Sequence, residues 1–366
     1  MTVAPETAPA SRPRRRLLGA IASLGLVTVG GVAWVQRHPQ APRLVSAVRK
    51  PSGGYAIVAL SGDGQLDWSF DLPHRGHSVL PSPDGRLLAA FPRRPGRTIW
   101  LLDTATGALV CTLSTDTHSQ MNGHGVFDAE GRRLYVTQTR HGAVTTGEIA
   151  VYSVDSGRRL GRFASGGLDP HQCLWCGDEL VIAHGGYIEY PGRSQPKQLD
   201  STRPPNLAWV DAGAGRVRRL DQLTDPKLSI RHLAADARGV FAGFQHDDGA
   251  GAQAALLGYA SPTLALKPLD ASRDTWAAFN GYVGSVALDV VGGTVIATSP
   301  RGSVLGLWGR DSLDFYGLQR MADVCGAAAG PQGWVATTGF GVVADAQARS
   351  VRTDYAFDNH LAMIGA

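Results

Sequence analysis

One spacing constrains this chain more than any other feature. From Arg75 the sequence reads "RGHSVLPSPDGRLLAAFPRRPGRTIWLLDTATGALVCTL". It parses into four short strands, 78–81, 87–91, 98–103 and 108–113, joined by Asp-Gly, Pro-Gly and Thr-Gly turns. The plan then returns in "GHGVFDAEGRRLYVTQTR" and "GEIAVYSVDSGRRLGRF", 47 residues on when measured from His77 to His124. A four-stranded unit recurring at about 40–50 residues is the signature of a β-propeller blade. The predicted fold is therefore all-β.

Carrying the phase forward finds "PHQCLWCGDELVIAHGG" from Pro170, "RHLAADARGVFAGFQHDD" from Arg231 and "GYVGSVALDVVGGTVIATSPRG" from Gly281. "DVCGAAAGPQGWVATTGFG" follows from Asp323, and "DNHLAMIGA" from Asp358 supplies one last strand. Three strands wait at the other end, "RLVSAVRKP", "GYAIVALSGDG" and "QLDWSFDLP". Pairing them with the C-terminal strand predicts a seven-bladed propeller with no open edge between its first and last sheets. Residues 41–366 are thus expected to form a single propeller domain. Residues 184–221, rich in Pro, Gly and Arg, read as one long inter-strand loop, and 245–252 as a shorter one.

The composition agrees, since 46 glycines in 366 residues favour many turns over long helices. Charge says less than the total suggests. Residues 1–40 carry Arg12, Arg14, Arg15, Arg16 and Arg37 against Glu6, a surplus equal to the net charge of +4. The rest of the chain is near neutral, which argues against a nucleic-acid partner. The same segment sets Arg14-Arg15 before the apolar stretch Leu17 to Val35, the layout of a twin-arginine export signal. It predicts a periplasmic or exported protein. Gly31-Val32-Ala33 offers small residues for cleavage, and an uncleaved run of this length is long enough to anchor in the inner membrane. The four cysteines make no disulfide framework. Cys173 and Cys176 sit three apart in a predicted strand and so face opposite sides, as packed thiols or a local disulfide rather than a metal half-site.

In this register five histidines fall at or just before the first strand of five blades: His77, His124, His171, His232 and His360. First strands line a propeller's central channel, so five imidazoles can converge on the axis. Imidazole suits Fe, Cu and Zn, and rings on separate rigid strands can preorganise a site. The alternatives are contact with haem or another anionic organic ligand, and rings that latch neighbouring blades through backbone carbonyls. Around them Arg75, Arg231, Tyr282, Arg301, Asp323, Cys325, Asp358 and Asn359 are candidate ligand-binding or supporting residues. Cys325 would be a soft ligand if ionised. Asp358 and Asn359, beside His360, are expected to orient its ring. Arg203, in the long loop, is a further candidate for holding an anion. His74, His118, His141, His184 and His246 are out of phase and read as loop or surface residues. No nucleophile elbow, P-loop, metalloprotease helix or haem-attachment motif is present.

The segments "RGH" with "PDGR", "GHGVF", "PHQ", "SIRHLA", "NGYVGSVALD", "ATSPRG", "DVCG" and "DNHL" together resemble domain of unknown function family 1513, from about Arg43 to the C-terminus. The resemblance implies an exported bacterial β-propeller. It also implies genes near imelysin-like peptidases and di-haem oxidoreductase-like proteins, and hence a role in periplasmic iron or haem handling. Gln172 stands where the family pattern has Glu, and "VTQTR" near Gln138 replaces a more acidic segment. Both departures remove a carboxylate and favour a histidine site over an oxygen-rich one. The leading expectation is metal or metal-cofactor binding for iron acquisition. A non-catalytic platform for redox or peptidase-like partners, and a metal-dependent hydrolase or oxidoreductase, are the other readings.

Overall fold

A computed structural model describes residues 42–188, 198–246, 248 and 253–365. The twin-arginine segment and apolar run lie outside the described residues, as do 189–197 of the long loop and 247 and 249–252 of the shorter one. The chain divides after His38, and every blade belongs to the unit Pro39–Ala366. No helix among the described residues is long and apolar enough to cross a membrane.

The protein is a seven-bladed β-propeller. Seven four-stranded antiparallel sheets follow one another along the chain. Their innermost strands are Gly76–Pro81, Ser119–Phe127, Pro170–Cys176, Leu228–Ala235, Ser285–Asp289, Val324–Gly330 and Ala356–Ile364, taken here as blades 1 to 7. In blade 7 the C-terminal strand Ala356–Ile364 pairs with Arg43–Arg49, which carries Tyr55–Leu60 and Leu66–Leu72 outside it.

Burial grades outward across each blade, and the sequence follows it. Second strands are covered on both faces by neighbouring sheets, so they read as near-continuous apolar runs such as "YAIVAL" in Tyr55–Leu60 and "ELVIAH" in Glu179–His184. Outermost strands such as Arg159–Ala164 are mostly exposed. The core is consequently a set of inter-blade layers. Cys173 belongs to the layer with Val126, Ile149 and Ile182, whereas Cys176 packs with Val181 and Trp209. Both are free thiols on opposite faces of one strand.

Two sequence expectations are corrected. The stretch 184–221 is not one loop: Asn206–Asp211 and Arg216–Asp221 are the outer strands of blade 3. A small ribbon, Tyr187–Ile188 with Gln198–Leu199, is inserted before them. The Pro- and Gly-rich composition masked alternation in "NLAWVD" and "RVRRLD". Arg203 stays in the remaining loop, paired with Asp200 and donating to the Thr145 carbonyl. Nor are His184 and His246 surface residues. His184 is buried in a second strand, 2.9 Å from Ser165 Oγ, and burial pushes its pKa down to about 4. His246 is buried beside Asp225, at 3.0 Å. A short helix, Arg273–Ala278, was not anticipated either; Ser272 caps it, and Trp276 stacks on Trp308 at 5.5 Å.

Polar side chains on or next to the inner strands tie four pairs of neighbouring blades. Ser78 Oγ donates to the Gly123 carbonyl at 2.5 Å, Asn122 Nδ2 to that of Pro170 at 2.8 Å, and Thr298 Oγ1 to that of Cys325 at 2.6 Å. Leu233 N donates to Gln172 Oε1 at 2.9 Å. Gln172 therefore serves as an inter-blade acceptor, a role a glutamate carboxylate fills equally well.

Two outcomes follow from these contacts. Thr298→Val keeps the shape but removes a fully buried donor, and should lower unfolding free energy by about 1–3 kcal/mol, read from the urea midpoint. Because His184 has a folded pKa near 4 against about 6.5 unfolded, only the unfolded chain takes up its proton as pH falls below 6.5. Stability should thus drop by about 2 kcal/mol between pH 7 and pH 5 from this group alone. In His184→Gln the pH slope should be shallower, whatever the variant's absolute stability.

Candidate metal centre

The five in-phase histidines meet on the axis. Their ring centroids form a closed circuit of neighbours: His77–His124 at 4.8 Å, His124–His171 at 4.7 Å, His171–His232 at 4.9 Å, His232–His360 at 5.0 Å and His360–His77 at 4.8 Å. His124 also lies 4.7 Å from His360 and 6.0 Å from His232, within reach of all four others. All five residues are at least nine-tenths buried. Two triads, His77/His124/His171 and His124/His232/His360, each bring one ring nitrogen per residue within 4.8 Å of one another. His124 is common to both.

Local backbone irregularity aims these rings. Every inner strand that carries one of the five has a register shift at or beside it. The shifts fall between Gly76 and Val79, Met121 and Gly125, Pro170 and Cys173, Ile230 and His232, and in blade 7 between Phe357 and Leu361. A bulge inserts an unpaired residue and re-aims its side chain, here toward the axis. Gly123 shows how tightly this is specified. Its φ is +93°, and a Cβ there would lie 2.5 Å from His77 Cδ2.

The rings do not latch the blades through backbone carbonyls. Among the described residues none of the five hydrogen-bonds a backbone carbonyl; Ser78, Asn122 and Thr298 do so, and Gln172 accepts from the Leu233 N–H. Both ring nitrogens of His171 and of His232, and Nε2 of His360, are buried without a hydrogen-bond partner. Such groups each cost about 1–3 kcal/mol unless something unshown satisfies them. Burial, followed by the neighbouring rings and guanidinium groups, holds His124, His171, His232 and His360 well below the usual imidazole range. His77 is lowered by burial as well, although Asp358 pulls it back. The centre is a cluster of neutral imidazoles with lone pairs available.

Asp358 supports this cluster differently from the sequence expectation. It orients His77 in blade 1, not its chain neighbour His360. Its Oδ1 lies 3.2 Å from His77 Nδ1, and Arg75 Nε donates to Oδ2 at 2.6 Å. Burial would raise this carboxyl, but His77 and Arg75 hold it well below its ordinary range. An ionised Asp358 fixes the proton on His77 Nδ1 and leaves Nε2 as an electron-pair donor, which faces His124 Nε2 at 3.2 Å. Carboxylate–histidine pairs of this kind support metal ligands. Asn359 instead donates from Nδ2 to the Tyr282 hydroxyl at 2.8 Å. Tyr282 lies 6.3 Å from His232 between ring centroids, with the Arg301 guanidinium 4.7 Å over its ring.

Two candidates fall away from the rings. Cys325 sits at the blade 6 bulge, where a further histidine would complete the pattern. Its Sγ lies 3.4 Å and 3.5 Å from the carbonyl oxygens of Thr337 and Phe357, and burial pushes its pKa up to about 12. It is a protonated structural thiol, because a desolvated site without a close cation cannot stabilise the thiolate. Asp323 is a left-handed turn residue, φ 52°, whose backbone N–H donates to Ser303 Oγ.

Sequence reasoning missed Arg93, Arg94 and Asp169. Arg94 pairs with Asp169, which also lies 3.6 Å from Arg231; Arg93 lies 4.0 Å from Asp358. "PRRPG" reads as an ordinary turn, and only the curvature of the ring brings it to residues 75 and 265 positions away in the chain.

Among solved structures, the chain is similar to Kuenenia stuttgartiensis hydrazine synthase, at 12% identity and a TM-score of 0.58, over 88% of this chain and 99% of that one. At that identity the likeness is one of fold. No curated protein matches the sequence. A family model described as protein of unknown function (DUF1513) matches residues 70–364, from the end of the first outer strand through the last ring-bearing strand, and the chain belongs to that family.

Proposed function

We propose that this protein is an exported periplasmic propeller that binds one transition-metal ion through His77, His124, His171, His232 and His360. The observation that carries the reading is the set of buried, unpartnered ring nitrogens of His171, His232 and His360 inside a circuit of neutral imidazoles. One ion could take one nitrogen from each of these three rings at once, answering three of the five unpartnered nitrogens. An all-nitrogen donor set with no thiolate suits iron, copper or zinc. Ring centroids about 5 Å apart leave no slot for a porphyrin plate between the imidazoles, which favours a bare or chelated ion over haem within the circuit. The twin-arginine segment supports periplasmic delivery, either cleaved or retained as an inner-membrane anchor. Iron acquisition alongside imelysin-like and di-haem oxidoreductase-like partners is supported by the family resemblance.

Metal analysis of protein purified from the periplasm should find about one Fe, Cu or Zn per chain, and metal-free protein should rebind it; a metal-free preparation that rebinds none would refute the reading. His124→Ala should cost more affinity than His171→Ala, since His124 serves both triads while His171 serves one. Asp358→Asn should weaken binding about 10–100-fold by releasing the proton position of His77, measured by competition with a chelator of known affinity.

A further inference from the structure

The charge around the rings has the wrong sign for a lone cation. Arg75 and Arg93 approach Asp358, Arg94 and Arg231 approach Asp169, and Arg301 covers Tyr282. Among the described residues, four guanidinium groups thus flank these two carboxylates and a fifth lies over a phenol. A divalent or trivalent ion entering alone would add to this excess in a region where water screens little.

The same arginines keep donors in reserve. Arg231 is 4% exposed; its Nε has no partner, and its approach to Asp169 at 3.6 Å is longer than a hydrogen bond. Arg75 reaches Asp358 through Nε, and its side chain is nearly half exposed. Arg93 is similarly exposed and comes no closer than 4.0 Å to that carboxylate. Half-exposed Arg75 and Arg93 at Asp358, with the deeply buried Arg231 at Asp169, set a path of positive charge around the rings. Such a path repels a hydrated cation and attracts an anionic complex.

We propose that the centre takes its ion together with an oxyanion of carboxylate or phosphate type, bound by Arg75, Arg93 and Arg231 and completing the coordination that the imidazoles begin. This rests on the metal-binding reading above. The guanidinium fork matches two coplanar oxygens, and the anion offsets the positive excess that the ion would otherwise worsen.

The test uses metal-free full-chain protein, Co(II) as a spectroscopic probe, and radiolabelled citrate or inorganic phosphate in equilibrium dialysis. The expected result is one anion retained per chain when Co(II) is present, at least tenfold more tightly than without it, with a shift in the visible Co(II) bands. Retention of citrate alone would identify a chelating carboxylate, and of phosphate alone a phosphate-type ligand; either supports the proposal. Arg93→Gln should weaken anion retention about tenfold, and Arg93→Lys should recover part of it. If Co(II) binds with an imidazole-type spectrum but neither anion is retained nor alters it, the proposal is overturned and the metal reading stands. Equal retention by metal-free protein, or by Arg93→Gln, also overturns it. If Co(II) binds neither alone nor with an anion, both readings fall.

Discussion

The site depends on the convergence of five buried imidazoles on one axis. Each ring alone would be an ordinary buried histidine. Together they bring many nitrogen lone pairs into one small volume, and for His171 and His232 no protein group answers either nitrogen. Backbone register shifts hold this arrangement in place, and polar side chains on or beside the same strands bond the blades to one another. The two jobs are separated. Serine, asparagine, glutamine and threonine bond four pairs of neighbouring blades, which leaves the imidazoles of His171 and His232 uncommitted. A histidine cluster that existed to latch blades would show the opposite assignment.

Separation of roles also explains the irregular members of the pattern. Blade 5 begins its inner strand at Ser285, after a helix and Tyr282 have occupied the position where a histidine would come. Its contribution to the axis is therefore a phenol bonded to Asn359. Blade 6 keeps the bulge but fills it with Cys325, whose thiol turns to the carbonyls of Thr337 and Phe357. The cluster is thus lopsided, five rings from seven blades, with His124 nearest its centre. The charged shell is lopsided as well, with Asp358 and Asp169 each flanked by two guanidinium groups.

The fold was legible because a blade has a local signature. Turns such as Pro83-Asp84-Gly85, where Gly85 takes φ 68°, recur at nearly fixed phase between apolar runs. Where the signature was diluted, the reading failed. Prolines and glycines between His184 and Asn206 hid the strands beyond them, and a six-residue helix is too short to show a periodic face. His184 was misjudged because phase was used as the test of burial. It lies on a second strand, which neighbouring sheets cover on both faces, so phase had no bearing on it.

The sequence by itself determined which residues reach the axis. Strand periodicity and blade phase are local, and they bring His77, His124, His171, His232 and His360 to equivalent positions. Tertiary structure alone decided which side chains meet there. Asp358 orients His77 and not His360, two positions along its own strand, because the register shift between Phe357 and Leu361 breaks the alternation and the closed ring sets blade 7 beside blade 1. Arg94 reaches Asp169 across 75 residues for the same reason. Partners of this kind depend on the curvature of the whole disc, and no local pattern encodes that distance.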